Sequence, residues 1–178
     1  NRIYEHISPS IGIKYNPEKT DDLELSSNIL LLIKNYEGYK NIINLMTKHY
    51  SNDENNIINF DDLKKNNEGL ICLSGCVNGP IGKSILSKNK STSEKILKDL
   101  NSIYNENFYL ELTRSGLEDE KIIENFFLSC ANKFNIPIVA TNNNYFANSE
   151  MHEATDALLC IKNIEKLSNS KRDSISKE

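Results

Sequence analysis

Leu70–Gly79 reads LICLSGCVNG. The four apolar residues Leu70–Leu73 have the length of a buried strand, and Ser74-Gly75 ends them. Gly75, Gly79, Pro80 and Gly82 then punctuate a loop. Beyond the loop, Ser91-Thr92-Ser93-Glu94 has the capping-box form and precedes Ile96, Leu97, Leu100 and Ile103 at helical spacing. Phe108–Leu112 follows, setting Phe, Leu and Leu against Tyr and Glu in the alternation of a strand. Strands separated by helices predict an α/β fold with mostly parallel strands.

The flanks keep the same alternation. Ile11–Tyr15 is a short apolar run, and Ile29–Ile33 is a continuous one that reads as a fully buried strand. Glu37–Tyr50 is predicted helical, with Tyr39, Ile42, Ile43 and Met46 as its apolar face. Ser51–Asn67 is polar, with a short helix around Phe60–Lys65. After the central unit, Glu118–Asn135 is predicted as a helix with Ile122, Ile123, Phe126, Phe127, Cys130 and Phe134 inward. Ile136–Ala140 reads as a strand that Pro137 can open. Glu150–Ile161 reads as a helix capped by Asn148 or Ser149. Leu167–Glu178 is polar and reads as a connector.

With 178 residues the chain is long enough for one domain with its own core. The 21 basic and 25 acidic residues give a net charge of −4, which argues against a surface that grips a phosphate backbone. The longest apolar run, Ile29–Ile33, is too short to cross a bilayer, so no membrane partner is expected. Cys72, Cys76, Cys130 and Cys160 have neither zinc-ribbon spacing nor the density of a disulfide framework, so a reducing compartment is expected. Gly82-Lys83-Ser84 is not a P-loop, because Gly75 stands too far before Gly82. His6, His49 and His152 are the only histidines, and none has metal-site spacing.

Five segments in order carry a family resemblance: IGIKY (Ile11–Tyr15), LLIKNYEGYKNIINL (Leu31–Leu45), LICLSGCVNG (Leu70–Gly79), FYLELTRSG (Phe108–Gly116) and IPIVATNNNYF (Ile136–Phe146). MHEATDALLCI at Met151–Ile161 extends the match. The chain resembles the PHP (polymerase and histidinol phosphatase) domain of the bacterial DNA polymerase III alpha-subunit family. The resemblance implies a distorted seven-stranded βα barrel, here incomplete at its N-terminus, with a site at the C-terminal ends of the strands. Residues 1–166 would form the domain. Residues 167–178 would start the connector to the palm and thumb of the polymerase.

An intact site of this family holds several metal ions, which activate water and clamp a phosphate. The family's N-terminal His-x-His motif has no counterpart, and the chain reads as beginning after it. A usual acidic ligand falls on Lys14, which cannot bind metal. The Ser-Gly-Cys motif is kept as Ser74-Gly75-Cys76, so Cys76 is the one retained ligand position. The Thr-Asn-Asp-x-His motif reads Thr141-Asn142-Asn143-Asn144-Tyr145, with Asn143 and Tyr145 at the ligand positions. An amide is a weak neutral ligand, and a phenol of pKa about 10 is rarely one. Lys14, Cys76, Asn143 and Tyr145 are thus expected to be a vestigial metal site, without bound metal or cofactor. Glu111, Arg114 and Asn142 are candidate polar residues of the cavity, with Arg114 a candidate partner for Glu111.

By resemblance the parent is a cytoplasmic DNA-directed DNA polymerase whose Mg2+-binding carboxylates lie in its palm, outside this chain. The chain itself is then expected to be non-catalytic. Its expected partners are the remainder of the alpha subunit and the proofreading exonuclease subunit, with DNA and the sliding clamp held by other domains. The alternative is an active metal-dependent phosphoesterase or proofreading nuclease of the same superfamily.

Overall fold

The computed structural model describes residues 10–14, 26–51, 58, 60–142 and 147–169, with only the backbone at 10–14, 26 and 49–51. Five strands form one sheet in the order of the chain: β1 (Ser10–Lys14), β2 (Ser26–Ile33), β3 (Leu70–Leu73), β4 (Phe108–Leu112) and β5 (Ile138–Ala140). Six helices accompany them: α1 (Tyr36–Ser51), α2 (Phe60–Lys65), α3 (Pro80–Leu86), α4 (Lys90–Tyr104), α5 (Glu118–Phe134) and α6 (His152–Asn163). The fold is mixed α/β. The expectation of mostly parallel strands needs correction, because β1–β2 and β2–β3 pair antiparallel while β3–β4 and β4–β5 pair parallel. Strand direction is set by where each connection returns to the sheet, which an apolar run cannot encode. Among the described residues the sheet is an open row of five strands, and a seven-stranded barrel is not seen.

The βα units are built as their side chains require. Ile96, Leu97 and Leu100 on α4 are buried in one core with Leu70 and Cys72 of β3 and Phe108 and Leu110 of β4. Burying an aliphatic side chain of this size is worth about 1.5–3 kcal/mol, so the α4 face alone anchors the helix to the sheet. On α5, Ile123, Phe127 and Cys130 are buried, but Ile122 is exposed and Phe126 and Phe134 only half-buried. On α1 the buried pair is Ile42 and Leu45, whereas Tyr39 and Ile43 face outward. In both helices the contact stripe is narrower than the run of apolar residues. Buried Asp62 on α2 is paired with Lys48 of α1.

Two helix starts differ from the sequence reading. Asn89, not Ser91, caps α4, its side chain accepting from the Thr92 backbone N–H at 3.1 Å. The stretch read as loop after Gly79 contains α3, which Pro80 opens. Proline suits a first helical turn because its missing N–H would have no partner there. Asn148 does cap the short 3-10 turn Ser149–Met151 that leads into α6. Among the described residues no helix is long and apolar enough to cross a membrane.

Candidate functional site

The C-terminal ends of β3 and β4 open into a cleft of about 320 Å³. Its walls include Asn28 of β2, the Gly75–Asn78 turn, Glu111 and Thr113 at the end of β4, and Ser115, Leu117 and Glu120 at the start of α5.

The turn after β3 is fixed by backbone chemistry. Ser74 prolongs the parallel ladder: its N–H donates to the Tyr109 carbonyl at 3.0 Å, and its buried Oγ accepts the Glu111 N–H at 2.9 Å. A side-chain oxygen thus replaces the carbonyl that the departing chain no longer offers. Gly75 then turns left-handed with φ 79°, and Cys76 follows with φ 42°. A Cβ on Gly75 would collide with the Asn28 carbonyl oxygen, so both conformation and space call for glycine.

Two buried carboxylates line the cleft, each occupied by donors of the chain itself. Glu111 Oε2 accepts the Gly75 N–H at 3.0 Å, and its Oε1 accepts the Thr141 hydroxyl at 2.7 Å. This one side chain therefore ties the turn after β3 to the turn after β5. Glu120 Oε1 accepts from the Thr113 and Ser115 hydroxyls, both at 2.7 Å. Its Oε2 accepts the N–H groups of Gly116 at 3.1 Å and Leu117 at 3.2 Å. Burial alone would raise the Glu120 pKa. The hydrogen bonds from Ser115, Thr113 and the backbone outweigh burial and hold the carboxyl below its ordinary value. Thr113 Oγ1 also lies 3.2 Å from Cys76 Sγ. A hydroxyl has one proton, and the 2.7 Å bond to Glu120 uses it, so the thiol faces the Thr113 lone pairs.

Cys76 and Glu111 thus meet in the cleft. Arg114 does not join them. It is 78% exposed and pairs with Glu124 of α5 at 2.6 Å, correcting the expected Glu111–Arg114 pair. The reason is geometric: Leu112 ends the strand, and Arg114 lies beyond it on the way out to α5. Asn142 is exposed and is not among the residues lining the cleft. For Lys14 only the backbone is described, and it pairs with Ser26. Asn143 and Tyr145 lie outside the described residues. Sequence reasoning passes over Glu120. Its signal is position: it stands in the third place of α5, three residues after Leu117, where a carboxylate reaches back to the helix start.

The described residues do not fit the metal cluster of an intact site of this kind. Among them, no three His, Cys, Asp or Glu side chains are grouped to hold an ion. The oxygens of Glu111 and Glu120 are already engaged by hydroxyls and amides of the chain.

A Gly-turned strand end beside a carboxylate-bearing parallel strand defines the chain as a mixed α/β domain with its polar site at the strand ends. The PHP domain family matches residues 2–115, and the chain belongs to that family. Its relatives include the DNA polymerase III subunit alpha of Rickettsia bellii, 39% identical over 138 residues, which are 76% of this chain and 12% of that protein. The protein of the same name from Rickettsia prowazekii is 36% identical over 162 residues, 89% of this chain and 14% of that protein. That from Borreliella burgdorferi is 33% identical over 165 residues, 87% of this chain and 14% of that protein. The chain thus spans roughly one-seventh or less of these curated relatives.

Proposed function

We propose that this chain is the PHP domain of a bacterial replicative DNA-directed DNA polymerase, the alpha subunit of DNA polymerase III. In this reading it is a structural and docking domain without a metal of its own. The relatives' shared name supports the parent enzyme. The observation that carries the structural role is that each oxygen of Glu111 and Glu120 accepts hydrogen bonds from hydroxyls or amides of the chain. Both carboxylates fasten loops: Glu111 holds the turns after β3 and β5, and Glu120 the turn from β4 to α5.

On this reading the domain takes in residues 1–166 of a distorted seven-stranded βα barrel, and residues 167–178 begin the connector to the palm and thumb. Nucleotide addition to a primer takes place in the palm, with Mg2+. Lys14, Asn143 and Tyr145 occupy former ligand positions, and Cys76 is a ligand that has lost its partners. The domain supports the rest of the alpha subunit and docks the proofreading exonuclease subunit. DNA and the sliding clamp are held elsewhere, and the whole works in the cytoplasm.

A metal-dependent phosphoesterase or proofreading nuclease is the second reading. One observation favours it: Cys76, Glu111 and Glu120 line a single cleft. Metal analysis for Zn, Mn and Fe without chelator, combined with primer extension, separates the two. The first reading expects well under one equivalent of metal, extension by the full-length parent and none by the 178-residue chain. Two or more equivalents, lost in Cys76→Ala, would establish the second. A full-length parent inactive on primed DNA would refute the first.

A further inference from the structure

Asn78-Gly79 is the only Asn-Gly pair in the chain. An asparagine before glycine is chemically labile, because glycine has no Cβ to hinder attack by its own amide nitrogen on the asparagine side chain. Packing allows nothing but glycine here. A Cβ on Gly79 would collide with the Ser74 carbonyl oxygen, so the fold itself demands the residue that makes Asn78 labile. Asn78 is exposed and lines the cleft.

The same turn withholds the attacking nitrogen. Gly79 is buried, and its N–H donates to the Gly75 carbonyl at 2.8 Å and lies 3.3 Å from that of Cys76. A buried amide proton that is already donated is lost to base only when the structure opens locally. Gly75 is in turn held by Glu111, whose Oε2 accepts its N–H at 3.0 Å. The Glu111 carboxylate therefore positions the acceptor that guards Gly79.

We propose that Asn78-Gly79 is a latent deamidation site, closed while the turn after β3 is fastened and reactive whenever that turn opens. The reaction needs only solvent. The deprotonated Gly79 nitrogen bonds to Asn78 Cγ, the Cγ–Nδ2 bond breaks, and ammonia leaves with the proton. A water molecule then opens the cyclic succinimide at either carbonyl and returns a proton to the Gly79 nitrogen, leaving aspartate or isoaspartate at position 78. Either product puts a new carboxylate in the cleft that Cys76, Glu111 and Glu120 line. Isoaspartate also lengthens the main chain by a methylene, in a turn with no room for a Cβ on Gly79. The inference rests on the turn alone and not on the polymerase reading.

Mass spectrometry of the peptide that carries residue 78, with isoaspartate-specific methylation, follows the conversion at neutral pH. The chain unfolded in urea should convert at least roughly tenfold faster than the folded chain, and Asn78→Gln should remove the signal from both. Across sub-denaturing urea, conversion should rise in step with hydrogen exchange of the Gly79 amide. Glu111→Ala should speed conversion without urea; if that variant does not fold, the urea series on the parent chain decides. Equal rates in the folded and unfolded chain would overturn the proposal. So would an unfolded chain that does not convert, or conversion indifferent to Gly79 exchange.

Discussion

Replacing Glu111 tests whether one carboxylate fastens the strand ends. Glu111 is buried and accepts two hydrogen bonds, from the Gly75 N–H at 3.0 Å and the Thr141 hydroxyl at 2.7 Å. Hydrogen bonds to a charged group contribute about 1.5–3 kcal/mol each, so Glu111→Ala should cost about 3–6 kcal/mol with both donors stranded. That is a large part of the roughly 5–15 kcal/mol that holds a domain folded. Glu111→Gln should cost far less, about 1 kcal/mol, because only charge assistance is lost. The amide oxygen can keep the Gly75 N–H, and the Thr141 hydroxyl can rotate to accept from the amide nitrogen. Thr141→Val should then matter less in the Glu111→Gln background than in the parent chain, because the bond it removes there is neutral and no longer charge-assisted. Urea unfolding followed by circular dichroism measures the parent and each variant, and amide exchange at Gly75 reports the local bond. A Glu111→Ala cost under about 1 kcal/mol, or equal costs for the alanine and glutamine substitutions, would refute the fastening role, given the stated worth of charged hydrogen bonds.

Gly75→Ala should destabilise strongly, because its φ of 79° and the nearby Asn28 carbonyl both exclude a Cβ; a melting temperature unchanged from the parent would contradict this. The lowered pKa of Glu120 makes stability depend on pH in one direction. The contribution is present above the unfolded value of about 4.3 and is lost as pH falls through the lower folded value. Ser115→Ala and Thr113→Val each remove a donor and should move the Glu120 titration up toward that value, as NMR of the side-chain carboxyl would read. Asn89→Ala should cost about 1 kcal/mol as the loss of a helix cap, and Ser91→Ala much less, in thermal unfolding; the reverse order would restore Ser91 as the cap.

Much of the frame is legible because short-range rules govern it. Leu70–Leu73, Phe60–Lys65 and Phe108–Leu112 have the same bounds in the structure as in the sequence reading. The apolar residues of the two strands are bounded by polar or turn residues, which leaves little freedom at either end. The cap of α4 lies two residues before the one that the capping-box pattern selects, because Asn89 and Ser91 are both good caps and the residue type alone does not choose between them. Gly79 and Gly82 hide the α3 helix, although Pro80 between them is a helix-opening residue. Gly75-Cys76 and Glu111 are legible as site residues. The path of Arg114 out to Glu124, and the gathering of four donors on Glu120, are not.

By itself the sequence determined the alternation of strands and helices, the Gly75 turn and the kinds of side chain at the strand ends. Periodicity, chain stiffness and functional-group chemistry are local properties, carried by each residue wherever the chain goes. Only the tertiary structure decided which strands run antiparallel, which donors reach Glu111 and Glu120, and which face of α6 is left outside. Thr141 is thirty residues from Glu111, yet its hydroxyl lies 2.7 Å from that carboxylate. Such a contact follows from the parallel pairing of β4 with β5, which brings both strand ends to one edge of the sheet.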